Sequence, residues 1–257
     1  MKFGWCATLE RAGQLAAHGL DYIECPLSGL QLETAEGLEA RIAQAAASPL
    51  PVRAANLFAP AGMLLVGEQQ DLARIRAYAE RVGEAAQRIG LQVVVLGSGG
   101  ARRVPDGWDK QRAEAQMVDV LAEIDRAWRG SGLTLALEPL RRKEANLINS
   151  VAEGVALVRQ VDSPIIRVLA DFFHMDEDDE PLETLRAHKD WIAHIHIADT
   201  GRRAPGTGSY PYERFAALLR EIGYTGMVSA ECAWPETDEE LAASVAFMRR
   251  MAEPAGV

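Results

Sequence analysis

Eight short apolar runs recur along the chain, and longer segments of helical pattern separate them. The runs are 2–6, 21–25, 52–57, 91–96, 133–138, 165–171, 191–198 and 227–232. Between them, segments such as 70–88, 109–128, 151–160, 212–221 and 238–251 carry alanine, leucine and charges at helical spacing. Gly19, Gly90, Gly132 and Gly223 stand where a helix should stop before the next run. Strict strand–helix alternation requires crossover connections, and crossovers make the strands parallel. Eight such units in 257 residues fit the α/β class as a single (β/α)8 barrel, a TIM barrel, with 1–257 as one domain. An open doubly wound sheet would be expected to place a glycine-rich phosphate turn after its first strand. Here Trp5-Cys6-Ala7-Thr8 occupies that place.

Four of the runs end in an ionisable residue: Glu138, which precedes a proline, then Asp171, His196 and Glu231. A barrel of this type presents its chemistry at the C-terminal strand ends, and these residues belong to runs five to eight, neighbours around the ring. Period-two alternation puts Thr134, Ala136 and Glu138 on one face and Leu133, Leu135 and Leu137 on the other. It likewise separates His194, His196 and Ala198 from Ile195 and Ile197, and Met227, Ser229 and Glu231 from Val228 and Ala230. With the aliphatic face against the helices, each polar tip turns toward the barrel axis. A charge at a buried strand tip needs a partner, and the four tips together read as ligands of one divalent metal ion. Three carboxylates and one imidazole suit Mn²⁺ first, then Co²⁺ or Mg²⁺, better than structural zinc. Taken singly, each has an ordinary role: Asp171 could cap the next helix, and His194 and His196 could be core histidines bound to backbone carbonyls.

The charge balance narrows the partners. A net charge of −10 gives no electrostatic grip on nucleic acid or an anionic membrane. Cys6, Cys25 and Cys232 are scattered and form no C-x-x-C pair, so neither a disulfide framework nor a cysteine zinc site is expected. The opening MKFGWCATLE lacks the apolar run of a secretory signal, and no later run is long enough to span a bilayer. A cytoplasmic setting is the resulting expectation, and a homo-oligomer stays open.

Several segments together resemble the sugar isomerase/epimerase superfamily, the xylose isomerase-like barrels. They are Glu138-Pro-Leu-Arg-Arg-Lys-Glu144 with Asn146-Leu-Ile-Asn149, Asp171-Phe-Phe-His174, His194-Ile-His196-Ile-Ala-Asp199 and Ser229-Ala-Glu231. The branch they resemble contains the ketose 3-epimerases of the D-tagatose and D-psicose type, together with hydroxypyruvate isomerase. The resemblance implies metal ligands Glu138, Asp171, His196 and Glu231, with Glu138 and Glu231 doubling as the acid/base pair. It implies substrate contacts at Glu144, His174 and Arg202. It also implies a small keto sugar as substrate, epimerised at C3 through a cis-enediolate. Such chemistry asks for this set: a metal polarises the ketone, while carboxylates on opposite faces take one proton and return another. Return of the proton to the neighbouring carbon would give aldose–ketose isomerisation instead. Arg141 stands where asparagine is common, Asp199 replaces a frequent glutamate, and Ala204-Pro-Gly-Thr-Gly208 is similar to hydroxypyruvate isomerases. These departures leave the substrate open, with a hydroxypyruvate or inosose isomerase or dehydratase as the neighbouring reading.

Two other functions use the same barrel. An abasic-site endonuclease would need a multi-zinc cluster, hence more histidines than the chain's five provide. A non-catalytic sugar-binding barrel would not need an intact acid/base pair. Gly97-Ser-Gly-Gly100 with Arg102 and Arg103 could cradle a phosphate or be an ordinary surface loop. Gly201 to Gly208 could be a lid, and Trp5, Asn56 and Phe58 could line the pocket or pack in the core. Glu144 is expected to face Arg142 or a substrate hydroxyl, the acidic run Asp176–Glu180 to be a solvated loop, and His18 and His188 to be surface residues.

Overall fold

In a computed structural model, which describes residues 1–30, 32 and 35–253, the eight runs form a closed parallel barrel in sequence order. The strands are β1 (Lys2–Cys6), β2 (Tyr22–Pro26), β3 (Val52–Asn56), β4 (Val93–Leu96), β5 (Thr134–Leu137), β6 (Ile166–Asp171), β7 (Ile192–Ile197) and β8 (Met227–Ala230). Closure comes from β1 pairing with β8, Lys2 opposite Met227 and Gly4 opposite Ser229. No described helix is long and apolar enough to cross a membrane.

The alternation expected from the sequence divides the core into two layers. Tyr22, Ala54, Val93, Val95, Ala136, Leu169 and Met227 form a small cluster inside the barrel. The alternate strand residues, such as Ile23, Val94, Leu135, Leu137, Ile195 and Val228, belong to a larger cluster between strands and helices. Mixed sizes fill the narrow interior: a methyl group on Gly4 would overlap the ring of Tyr22, its register partner on β2.

The helices α1 (Ala12–Ala17), α2 (Ala35–Ala46), α3 (Leu72–Ile89), α4 (Lys110–Trp128), α5 (Val151–Val161), α6 (Phe172–Glu177), α7 (Glu183–Ala187), α8 (Tyr212–Glu221) and α9 (Asp238–Met251) surround the strands. Their ends carry local chemistry. The Asp71 carboxylate accepts from Arg74 N at the start of α3, and Gly90, at φ 85°, ends that helix. Ser150 and Glu153 make a capping arrangement at α5, where Glu153 N donates to Ser150 Oγ and Asn149 N to Glu153 Oε2. Helix α9 starts with Asp238, Glu239 and Glu240 and ends with Arg249 and Arg250, which complements its dipole. Buried Trp128 locks α4 onto α3 by donating from Nε1 to the Ala79 carbonyl at 2.7 Å.

Candidate active site

The C-terminal mouth of the barrel gathers the four tips. Glu138 and Glu231 each lie one residue beyond the last residue of β5 and β8, while Asp171 and His196 are paired residues of β6 and β7. Each offers one ligand atom, and these atoms lie within 4.8 Å of one another. His196 Nδ1 is 3.3 Å from Glu138 Oε1 and 3.6 Å from Glu231 Oε2. Asp171 Oδ1 caps α6 by accepting from Phe173 N at 2.8 Å, while buried Oδ2 has no hydrogen-bond partner among the described residues.

The electrostatics follow from this crowding. Burial raises the carboxyl pKa of Glu138, and the charge of Glu231 raises it further. Asp171 is pushed up to about 6 by burial and by Glu231. Burial also opposes the charge on Glu231, but His196 and the Arg202 guanidinium prevail and hold it at about 2. Three carboxylates against one imidazole, with an unpartnered carboxylate oxygen among them, are a donor set suited to a divalent cation. Glu138, Asp171, His196 and Glu231 are the residues that could hold it.

Around this cluster stand the other expected residues. Arg202 pairs with Glu231 through Nη2, approaches Glu144 Oε2 at 3.6 Å through Nη1, and lies 5.1 Å from the centre of the Phe173 ring. Glu144 accepts from Arg141 Nε at 2.7 Å, so its partner on the strand-five loop is Arg141 and not Arg142, which pairs with Asp178. His174 is buried with its Nε2 3.6 Å from Asp171 Oδ2, and burial lowers its pKa. A neutral imidazole can donate from one ring nitrogen and accept at the other. Asn56 reaches Glu231 Oε1 from Nδ2 at 3.4 Å. Phe58 instead packs edge-on against Tyr78 and Trp128 in the core, and Trp5 is buried against Trp234.

Three surrounding segments make specific contacts that their sequence does not announce. Arg102 is fully buried and donates from Nη2 to the Glu138 carbonyl at 2.6 Å, so it braces the loop after β5 instead of facing a phosphate. The segment after β7 is tied by the buried Asp199 carboxylate, which accepts from Thr200 N at 2.8 Å and Gly206 N at 3.0 Å. The acidic run 176–180 is occupied by partners: Glu177 takes Arg141 and Tyr210, Asp178 takes Arg142, and Glu180 caps α5 through Val151 N. His18 contacts Asp238 Oδ1 at 2.9 Å, and His188 ends α7, both away from the strand tips.

Sequence reasoning missed Glu24. It is fully buried on β2 and lies 2.9 Å from His196 Nε2 and 2.8 Å from His194 Nε2. The local signal is its alternation: Tyr22 and Glu24 share the inward face, against Ile23 and Cys25.

A closed parallel (β/α)8 barrel with an acid-and-imidazole cluster at its C-terminal mouth is the architecture these residues define. The chain belongs to the xylose isomerase-like TIM barrel family, whose model matches residues 12–251. It is 34% identical over 124 residues to the D-psicose 3-epimerase of Ruminiclostridium cellulolyticum, which covers 48% of this chain and 42% of that protein. It is 38% identical over 101 residues to the D-psicose 3-epimerase of Agrobacterium fabrum, covering 39% of this chain and 35% of that one. The matched segment thus spans less than half the length of either relative. The fold is similar to that of D-psicose 3-epimerase from Clostridium cellulolyticum H10 solved with D-tagatose, at a TM-score of 0.84 and 22% identity, covering 99% of this chain and 100% of that one.

Proposed function

We propose that this chain is a metal-dependent sugar epimerase or isomerase, and specifically a ketose 3-epimerase acting through Glu138 and Glu231. The observation that carries the reading is the placement of these two carboxylates. They come from β5 and β8, on either side of the β6–β7 pair, and both approach one imidazole nitrogen, His196 Nδ1. Epimer relatives named for sugars support the class of substrate.

Glu138, Asp171, His196 and Glu231 would hold one divalent cation, and the oxygen-rich set favours Mn²⁺ over Co²⁺ or Mg²⁺. When bound, that cation would polarise the substrate ketone and offset negative charge developing on its oxygen. The residues of the chain do the rest. One glutamate takes the proton from C3 on one face, and the other delivers a proton to the opposite face, so C3 is inverted with no net change in atoms. Arg202 and His174 orient substrate oxygens, the first as a fixed donor and the second as a neutral imidazole. Glu144, held by Arg141, accepts from a substrate hydroxyl. The neighbouring reading, aldose–ketose isomerisation, uses the same residues with the proton taken from C1 and returned to C2.

The test is solvent exchange at C3. With Mn²⁺ and D-tagatose or D-psicose in deuterated water, the wild-type chain should incorporate deuterium at C3. Glu138→Gln and Glu231→Gln should each lower that rate by about 10²–10⁴-fold. Retained exchange in either variant removes its acid/base role. Deuterium at C1 alone moves the reading to isomerisation.

A further inference from the structure

Beneath the four-residue cluster the barrel interior holds a second polar layer that the proton transfers leave unassigned. Glu24, His194 and Ser229 are fully buried there, with Tyr22 beside them. Glu24 Oε1 lies 2.9 Å from His196 Nε2, and Oε2 lies 2.8 Å from His194 Nε2. Ser229 Oγ donates to Glu24 Oε2 at 2.6 Å, and the Tyr22 hydroxyl is 2.8 Å from Ser229 Oγ. A carboxylate inside an apolar barrel is costly unless its oxygens are engaged; here both are. Register keeps the layer together, with Cys6 opposite Glu24 and His196 opposite Ser229.

We propose that Glu24 is a positioning residue that keeps the proton of His196 on Nε2 and turns the Nδ1 lone pair toward the cation site. This inference rests on the reading of Glu138, Asp171, His196 and Glu231 as that site. An ionised carboxylate only accepts, so the imidazole nitrogen facing it must carry hydrogen. The nitrogen left free to ligate is Nδ1, the atom that faces Glu138 and Glu231. A carboxylate behind a ligating imidazole also raises the basicity of the ligand. His194 and Ser229 grip the second oxygen of Glu24, so the carboxylate cannot swing away from His196 without breaking two further contacts. Cys6 Sγ, 3.9 Å from His196 Nε2, completes a second group of potential ligands with Glu24 and His196. A cation there would have to displace the Nε2 proton that Glu24 accepts, so one cation per chain is expected.

The experiment compares the wild-type chain with Glu24→Gln and Glu24→Met. Mn²⁺ affinity is measured by competition with a fluorescent chelator. The Gln variant keeps an acceptor but loses the charge, and should bind about tenfold more weakly. The Met variant removes the acceptor, and should bind about a hundredfold more weakly. ¹⁵N-histidine NMR of the Zn²⁺-loaded wild type should show the His196 proton on Nε2. Should the Met variant not fold, the Gln comparison and the NMR spectrum decide. Affinity within about twofold of wild type in the folded variants would overturn the role of Glu24 alone. So would a His196 proton on Nδ1, or two Mn²⁺ ions per chain. A wild-type chain that binds no Mn²⁺ would overturn the cation site itself, and this inference with it.

Discussion

Gly97 leaves the space that the Glu138 carboxylate fills: a methyl group built on Gly97 would overlap Glu138 Oε2. The two residues follow β4 and β5 directly, where Leu96 and Leu137 are register partners. The absence of a side chain is therefore a requirement of space at the mouth. Gly97→Ala should push Glu138 out of its place among Asp171, His196 and Glu231. Loss of geometry of about 1 Å costs on the order of 10²-fold in rate, so deuterium exchange at C3 should fall by about that factor while far-ultraviolet circular dichroism stays native. Exchange at the wild-type rate would show that the glycine is not there for Glu138.

Arg202 is held at φ 59° in the turn after β7, where it reaches both Glu231 and Glu144. The buried Asp199 carboxylate fixes that turn through Thr200 and Gly206. A lysine in place of Arg202 keeps the charge but loses the fork that serves two carboxylates and the flat contact with Phe173. Arg202→Lys should lower kcat/KM by about tenfold to a hundredfold, each tenfold corresponding to about 1.4 kcal/mol of lost transition-state stabilisation. Steady-state kinetics on a ketose that the wild-type chain epimerises would check this; a change of less than about twofold would separate Arg202 from the substrate.

The parts of this architecture that were legible are those encoded by neighbours in sequence. Alternation within His194–Ile197 and Met227–Ala230 fixes which side chains face the axis, because a strand has a period of two. The apolar runs also end in the residues that meet at the mouth, since a carboxylate or imidazole at a strand tip interrupts the pattern visibly. Glu24 was hidden because its partners lie 170, 172 and 205 residues away. Its one local signal, alternation with Tyr22 against Ile23 and Cys25, gives its face but not its partners. Arg102 stayed open between a phosphate cradle and a surface loop because glycines beside an arginine suit either, whereas the chain turns this side chain inward to the Glu138 carbonyl. The pairing of Glu144 with Arg141 instead of Arg142 depends on the turn at 141–145, whose geometry the charges alone do not specify.

Removal and return of the cation should be separable from folding. Most buried strand residues belong to apolar clusters that need no ion. Treatment with a chelator should abolish C3 exchange while leaving circular dichroism unchanged, and added Mn²⁺ should restore it, with Co²⁺ and Mg²⁺ as the comparison series. Saturation at about a hundred times the dissociation constant should stabilise the chain by about 2.7 kcal/mol, read as a rise in thermal midpoint. Exchange that survives exhaustive chelation would dispose of the cation-dependent reading.

Glu180 offers a pH dependence away from the strand tips. Its carboxylate caps α5, accepting from Val151 N at 3.0 Å, yet burial pushes its pKa up to about 7, partly opposed by bonds from Val151 and Ala152 and supported by the charge of Glu153. The ordinary value in the unfolded chain is 4.5. Between these two values the folded chain holds more protons than the unfolded one, so stability falls as pH rises. The contribution is complete below about pH 4.5 and lost as pH passes about 7. Glu180→Gln cannot lose that proton, and its amide oxygen can still accept from Val151 N. Relative to wild type, the variant should therefore gain stability between about pH 5 and pH 8, on the order of 1–2 kcal/mol after allowance for solvent screening. Urea unfolding of both chains at the two pH values measures the difference directly. A gap that stays constant with pH would mean that Glu180 is ionised in the folded chain throughout, its charge held by the start of α5.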